Sequence, residues 1–513
     1  MLTKMFGKKS DHPMVDIKAA QGILDDLPKN DVYKLLGELT EWIESISEHA
    51  DFKIDHQFAL MRLLDEAAQP HVRKLLREYF TPNELGKFQE NRLWMVLGNL
   101  SRYTAEGYYR IFNRYCTLDK GNSAIKAQLP LLLARSVNAL TGQLKFVCAR
   151  YGHVDKAVWT NLAQIYSHAE QQKCLDAPVS LYPGMASNTS VKWATGHLLG
   201  WYGCGVNSMK PLQMHLTERL VAQYCTSIEV HSQPGEQNLF SFDLNNPTAP
   251  RRIKVDPAAG PATRYISMAG IKPKLEPLIK TLGKKIIPGE LTIGSAYDPE
   301  LVSEAALYLL DYMANTPVRS GVRRNVKIDM SVAQGFEKTV ERTNSGLNLN
   351  KEKPVLWKME DISANGFLTV LPAQGSEDIR IGTMLGVQPS GVQNWGVAVV
   401  RRMIRDDQNQ LHVGAEMLST QVTPVALIQS GDGSGAFEDG QTALWLSEKP
   451  GELPGQARLM MRLDTYSDHR SLLSEYNGDD YLLIPNGLLE KCFDCDLVRF
   501  RLVKQETGPA EYH

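Results

Sequence analysis

The chain has 513 residues, enough for roughly three domains at about 150 residues each. Apolar residues make up 43% of it, which supports several packed cores and excludes a wholly disordered chain. Lys and Arg number 56 against 58 Asp and Glu, a formal net charge of -2, so no overall field draws the chain to nucleic acid or an anionic membrane, and any anion site has to be a local basic cluster. Lys4, Lys8 and Lys9 are not followed by an apolar stretch of signal-peptide length, so residues 1–14 read as a flexible tail on a protein that stays in the cytoplasm. No apolar run approaches the ~18 residues of a membrane span. The seven cysteines fit reduced thiols rather than a disulfide framework.

From Val32 apolar residues recur at helical spacing (Leu35, Leu36, Leu39, Trp42, Ile43, Ile46), with Glu38, Glu41 and Glu44 off the stripe. Similar stripes run through about 57–66, 72–80, 84–115, 122–150, 153–173 and 190–224. They break at Pro28, Pro70, Pro82, Gly121, Gly152 and the two prolines of Asp176–Ser187. Residues 15–225 are therefore predicted to be one helical domain. Trp159, Leu162, Ala163 and Tyr166 match the first helix of a tetratricopeptide repeat. Neither the second helix nor the period of about 34 residues follows, so the segment reads as an ordinary amphipathic helix.

Near Ile228 the pattern changes, and 226–316 reads as a mixed α/β connecting region. Ser227–Val230, Leu239–Asp243, Arg252–Val255 and Thr263–Met268 are β-prone, and Lys274–Leu282 is helical. Another helix starts with Asp298 as N-cap, Pro299 at its first position and Glu300 in its first turn, and Pro317 stops it. Beyond Pro317 the chain reads as strand: Val355–Met359, Phe367–Val370, Met384–Val387, Trp395–Val400 and His412–Met417, at a spacing that suggests a small closed barrel over 317–428. Residues 429–440 read as a Gly-rich linker. The pieces Ala443–Leu446, Ala457–Leu463, Tyr481–Ile484 and Leu497–Val503 then read as a second, smaller β domain over 441–513. The predicted fold class is thus α+β and multidomain: a helical N-terminal region, a small β-barrel and a second small C-terminal β domain.

Most motif searches end without a site. Gly431, Gly433 and Ala436 spell a dinucleotide fingerprint but neither follow a strand nor open a helix. There is no GK[ST] phosphate loop, HExxH or GxSxG. Cys492 and Cys495 form a CxxC with no second pair, which reads as two packed thiols. Asp361, Ser363, Asn365 and Gly366 look like the front of a calcium loop, but the position for its bidentate Glu is Pro372 and the flanks are strands. No metal or cofactor is expected.

One constellation remains. The stretch VRSGVRRNVK holds Arg319, Arg323, Arg324 and Lys327 with no acid between them, and Gly321 frees the backbone to wrap an anion. Asp361, Ser363 and Gly366 follow as DxSxxG after the strand Val355–Met359. RxxxR followed by [DN]xSxxG resembles the PilZ domain, a bacterial receptor domain for cyclic di-GMP. The resemblance extends through Gly366–Val370, Ile381–Val387, Val397–Arg402 and Val413–Leu418. It covers about 317–428 and departs from the family in an insertion around Glu337–Lys353.

The chemistry suits those residue types. Cyclic di-GMP carries two phosphodiesters and two guanines. An Arg fork grips phosphate oxygens or the O6/N7 edge of guanine. A carboxylate such as Asp361 accepts from guanine N1–H and N2–H₂. Ser363 donates to phosphate or fixes the turn, and Gly366 lets the backbone pass close to the ligand. The resemblance implies a non-catalytic cytoplasmic receptor with ligand-binding residues Arg319, Arg323, Arg324, Asp361, Ser363 and Gly366. The helical region would bind an unidentified protein partner that controls motility, pili or surface attachment. Neither DNA nor RNA is expected as a partner: an RNA-binding barrel would need exposed aromatics beside Arg319–Lys327, and that segment has none. The alternative is a degenerate PilZ scaffold that acts only as a protein-interaction adaptor.

Overall fold

The computed structural model describes residues 11–81, 85–185, 187–253, 260–291, 293, 297–315, 324–344, 354–363, 365–372, 374–429, 441–448 and 452–505, with side chains from 327 onward in the strand that begins at Arg324. Two compact units emerge. The first holds residues up to Val206 and Pro211–Pro317, and the second holds Asn207–Lys210 and the chain from Val318 on.

The first unit opens with α1 (Ile17–Asp25), α2 (Val32–Glu48), α3 (Ile54–Tyr79), α4 (Lys87–Cys116), α5 (Asn122–Ile125), α6 (Leu129–Cys148), α7 (Lys156–Gln171), α8 (Val191–Gly203) and α9 (Pro211–Gln223). Asp31 starts α2 by accepting the N–H groups of Tyr33 and Lys34. Its apolar stripe behaves as the spacing predicts: Leu36, Leu39, Ile43 and Ile46 are fully buried. They pack with Leu60, Met61 and Leu64 of α3 and Leu93, Leu97 and Ile111 of α4 in the core. A break expected at Pro70 is absent, and α3 runs straight through it. The proline sits on the exposed side of the helix, where a carbonyl left without an N–H is not shut away from solvent, while Ala68 and Leu75 keep the inner face buried.

Two polar clusters lie inside this helical layer. Asp65 on α3 accepts from Tyr108 Oη at 2.7 Å and Gln69 Nε2 at 2.8 Å, while Arg135 on α6 donates to Tyr108 Oη at 3.1 Å and to Glu66 at 2.5 Å. Lys145 on α6 meets Glu218 on α9 at 2.5 Å, and His197 on α8 approaches the other carboxylate oxygen at 3.0 Å. Burial alone would raise the Glu218 carboxyl, but Lys145 and His197 hold it well below the usual carboxylate range.

A four-stranded antiparallel sheet completes the unit. Its strands are β1 (Glu229–His231), β2 (Asn238–Asp243), β3 (Arg251–Arg252) and β4 (Thr263–Ser267), in the order β1-β4-β2-β3. It is followed by α10 (Lys272–Leu282) and α11 (Pro299–Ala314), whose N-cap Asp298 accepts the Glu300 N–H at 2.9 Å. No helix among the described residues is long and apolar enough to cross a membrane.

The second unit consists of two closed antiparallel barrels. The first is built from β5 (Arg324–Gln334), β6 (Val355–Ser363), β7 (Gly366–Leu371), β8 (Met384–Pro389), β9 (Gly396–Arg405) and β10 (Leu411–Ser419), with α12 (Phe336–Thr343) between β5 and β6. Around the barrel the order is β10-β7-β6-β5-β8-β9. The second barrel takes β11 (Val422–Gln429), β12 (Gln441–Leu446), β13 (Gln456–Arg462), β14 (Leu472–Tyr476), β15 (Asp479–Lys491) and β16 (Cys495–Lys504), in the order β11-β12-β13-β16-β15-β14. Residues 422–428, read from sequence as the end of the first β unit, form the opening strand of the second. They pair with β12 along Val422–Leu427 and with β14 at Ile428 and Gln429, and so close that barrel. Two strands not singled out in the sequence, β5 and β14, complete the two circles.

The barrels share a core. Phe336 and Val340 of α12, Met384, Val397, Val399 and Leu418 of the first barrel, and Leu444, Met460, Cys495 and Leu497 of the second pack as one buried cluster. The helix that the sequence shows as an insertion therefore fills the seam between them. The CxxC cysteines are buried free thiols at the β15–β16 turn, and the Gly431–Ala436 fingerprint lies outside the described residues.

Candidate ligand-binding site

β5 and β6 are antiparallel neighbours, with Arg324 opposite Ile362 and Asn325 opposite Asp361. The residues that directly follow Arg323 in the chain therefore run beside the strand carrying DxSxxG. Strand pairing thus sets the backbone of Arg324 and Asn325 beside the DxSxxG strand despite the insertion separating them in sequence. Arg319 and Arg323 themselves lie outside the described residues. Arg324 is placed by its backbone as the first residue of β5.

On β6 and β7 the pleat can be read from burial. Phe367, Thr369 and Leu371 point into the barrel, and the half-buried Gly366, Leu368 and Val370 alternate with them on the outer face. Asp361 is opposite Leu368 and Ser363 is opposite Gly366, so both motif side chains take the outer face. A β-bulge between Met359 and Asp361 sets that phase. Ser363 Oγ donates to the Gly366 carbonyl at 3.1 Å, closing the β6–β7 turn, while Met417 N–H on β10 donates to the Asn365 carbonyl at 3.0 Å.

Gly366 has a structural reason of its own. A Cβ on it would lie 2.2 Å from the carbonyl oxygen of Ala415 on β10, closer than any side chain tolerates. Its missing side chain makes room for a neighbouring strand, where the sequence suggested room for a ligand. Ser363 fills the turn-fixing role of the two that its hydroxyl allowed.

The chain resembles two domain families in its sequence. Residues 18–235 match the family described as the N-terminal domain of the cyclic-di-GMP receptor FimW, and residues 316–424 match that receptor's middle PilZ domain. The chain belongs to the PilZ-domain cyclic di-GMP receptor family. No curated protein and no solved structure matches it. The PilZ match runs from just before Arg319 to the first residues of β11, so it spans the first barrel and both motif halves.

The outer face of the PilZ barrel carries one further cluster. Glu416 on β10 lies opposite Gly366 and accepts from Arg401 Nε on β9 at 2.8 Å. The other guanidinium nitrogens of Arg401 grip both oxygens of Glu490 on β15 of the second barrel. Burial alone would loosen the Arg401 proton, but Glu490 and Glu416 hold it more firmly than in a free guanidinium. From the DxSxxG glycine, one strand and one ion pair thus lead to the second barrel of this PilZ protein. Sequence reasoning did not find the clamp, because its partners are 89 residues apart and carry no motif.

Proposed function

We propose that the protein is a non-catalytic cytoplasmic receptor for cyclic di-GMP, with Arg319, Arg323, Arg324, Asp361, Ser363 and Gly366 as its ligand-binding set. The observation that carries this reading is the register of β5 on β6. It sets Asn325 opposite Asp361, which supports a site where the chain that follows Arg323 meets the strand whose Asp361 and Ser363 take the outer face. In this reading Arg319 and Arg323 supply the planar, bidentate cations that phosphodiesters and the guanine O6/N7 edge require. Asp361 supplies the acceptor for guanine N1–H and N2–H₂. Ser363 and Gly366 hold the turn that aims them.

The messenger's level is then relayed to a protein partner of the helical unit, in control of motility, pili or surface attachment. Support for a relay through the chain comes from connectivity: α11 ends at Ala314, and the arginine segment begins at Arg319. Titration calorimetry of the full chain with cyclic di-GMP, GTP and a short RNA tests the reading. Binding of the cyclic dinucleotide, weak or absent binding of the other two, and loss of binding in Arg323→Ala support it. A wild-type protein that ignores cyclic di-GMP overturns it.

A further inference from the structure

Across the outer face of the first barrel, one row of paired residues runs Asp361 on β6, Leu368 on β7, Gly414 on β10 and Arg402 on β9. A bulge at Gly414/Ala415 places two consecutive arginines opposite this stretch of β10, and they have different fates. Arg401 is held by Glu416 and Glu490. Arg402 is exposed, and its side chain makes no hydrogen bond or ion pair with any described residue.

The middle of the row is low and apolar. Gly414 has no side chain and Leu368 is half-buried. A Cβ at Gly414 would meet only ordinary contacts, the nearest being Arg402 Cβ at 3.5 Å. The glycine is therefore not demanded by packing, as Gly366 is. What it does is leave the floor open between an acid at one end and a cation at the other. Three strand spacings separate Asp361 from Arg402, about 14 Å along the sheet, and the reach of both side chains shortens the gap between their polar ends.

We infer that this row is the floor of the nucleotide site and that Arg402 is a ligand-binding and specificity residue on its far side, an inference that rests on the cyclic di-GMP reading above. A purine lies flat over Leu368 and Gly414, which removes apolar surface from water without crowding. Asp361 faces the N1–H and N2–H₂ edge of the base. Arg402 takes what the first edge leaves unpaired, either the O6/N7 pair of that guanine or a phosphodiester oxygen, with its fork. The arrangement holds the ligand from Asp361 on β6 at one side and from Arg402 on β9 at the other.

Calorimetry with cyclic di-GMP on the full chain tests this, using Arg402→Ala, Arg402→Lys, Gly414→Leu, Arg323→Ala and, as a charge-loss control in the second barrel, Arg470→Ala. Loss of one charge-assisted contact corresponds to a roughly 10-fold or greater rise in Kd for Arg402→Ala, with Arg402→Lys between it and wild type. Gly414→Leu raises Kd by on the order of 10-fold by filling the floor, and Arg470→Ala binds as wild type. Thermal unfolding checks each variant. Should Gly414→Leu fail to fold, Arg402→Ala, which removes an exposed side chain without a described partner, carries the test alone. If a folded Arg402→Ala or Gly414→Leu binds within about twofold of wild type while Arg323→Ala loses binding, the floor is wrong and the receptor reading survives. A wild type that does not bind removes both.

Discussion

Asp494 Oδ2 accepts the backbone N–H of Phe336 at 2.7 Å, so a carboxylate of the second barrel caps the helix that follows β5 of the first. Its other oxygen takes the N–H of Met384 on β8 at 3.0 Å. Burial raises the Asp494 carboxyl against the lowering by these two backbone donors. Asp494→Ala strands both amides at the seam and should cost the second unit about 1–3 kcal/mol, read as a lower midpoint in denaturant. Asp494→Asn keeps an acceptor oxygen and should recover part of the loss.

Gly366→Ala places a Cβ 2.2 Å from the Ala415 carbonyl, and backbone on both strands has to move. The expected cost is about 1–3 kcal/mol, with β7 and β10 parting at the turn. Melting of the purified variant checks this without ligand. An unchanged midpoint would mean that β10 does not approach Gly366 as described.

Arg319→Ala and Arg323→Ala should each weaken cyclic di-GMP binding by roughly 10- to 150-fold, the effect of losing one charge-assisted contact. Asp361→Ala should act differently. It removes an acceptor for the guanine edge, so selectivity for cyclic di-GMP over cyclic di-AMP should fall more than affinity for the shared phosphodiester ring. Competition binding with the two dinucleotides separates the effects.

Glu218 gives the first unit an acid limb. Its folded carboxyl lies well below the ordinary value because Lys145 and His197 outweigh its burial. A depressed acid stabilises the fold above its unfolded value of about 4.3, and that contribution is lost as pH falls through the folded value. Thermal midpoints of the first unit should therefore drop below about pH 4.3. Glu218→Gln should flatten that limb and lower the midpoint at neutral pH, since it leaves Lys145 buried without its counter-charge at a cost of about 3–5 kcal/mol.

A relay through the chain predicts where hydrogen exchange changes. Saturating cyclic di-GMP should slow amide exchange in 317–327 and also alter it in α11. Equal affinity for two arrangements would shift nothing, so the ligand has to favour one. Protection limited to the first barrel, with α11 unchanged, would leave binding intact and end the relay.

Much of the architecture was legible because it follows local rules. The α2 stripe, the Asp298–Pro299 start of α11 and the Gly-punctuated strands of the first barrel each carry their signal within a dozen residues. What stayed hidden depends on distant partners. β5 follows a basic motif that drew attention to side chains, although IDMSVAQ alternates as a strand should. Val422–Gln429 is β-prone wherever it is placed, and only its pairing with β12 and β14 assigns it to the second barrel. A fragment of residues 438–513 would therefore lack one stave. Gly366 and Ser363 were visible as a motif, but their work against Ala415 and the turn carbonyl appears only when β10 is in place.

Both barrels close on themselves, and this fixes how other chains can meet them. Among the described residues each circle of strands closes, so neither barrel presents an edge strand of the kind an extra strand would extend. Whatever docks there must meet side chains on a curved wall. The small sheet of the first unit is different. Its order β1-β4-β2-β3 ends on Glu229–His231 at one side and Arg251–Arg252 at the other, and each of these edge strands pairs with one neighbour in the sheet. Among the described residues, sheet edges that could pair with another backbone belong to the helical half, and the barrels offer side chains instead.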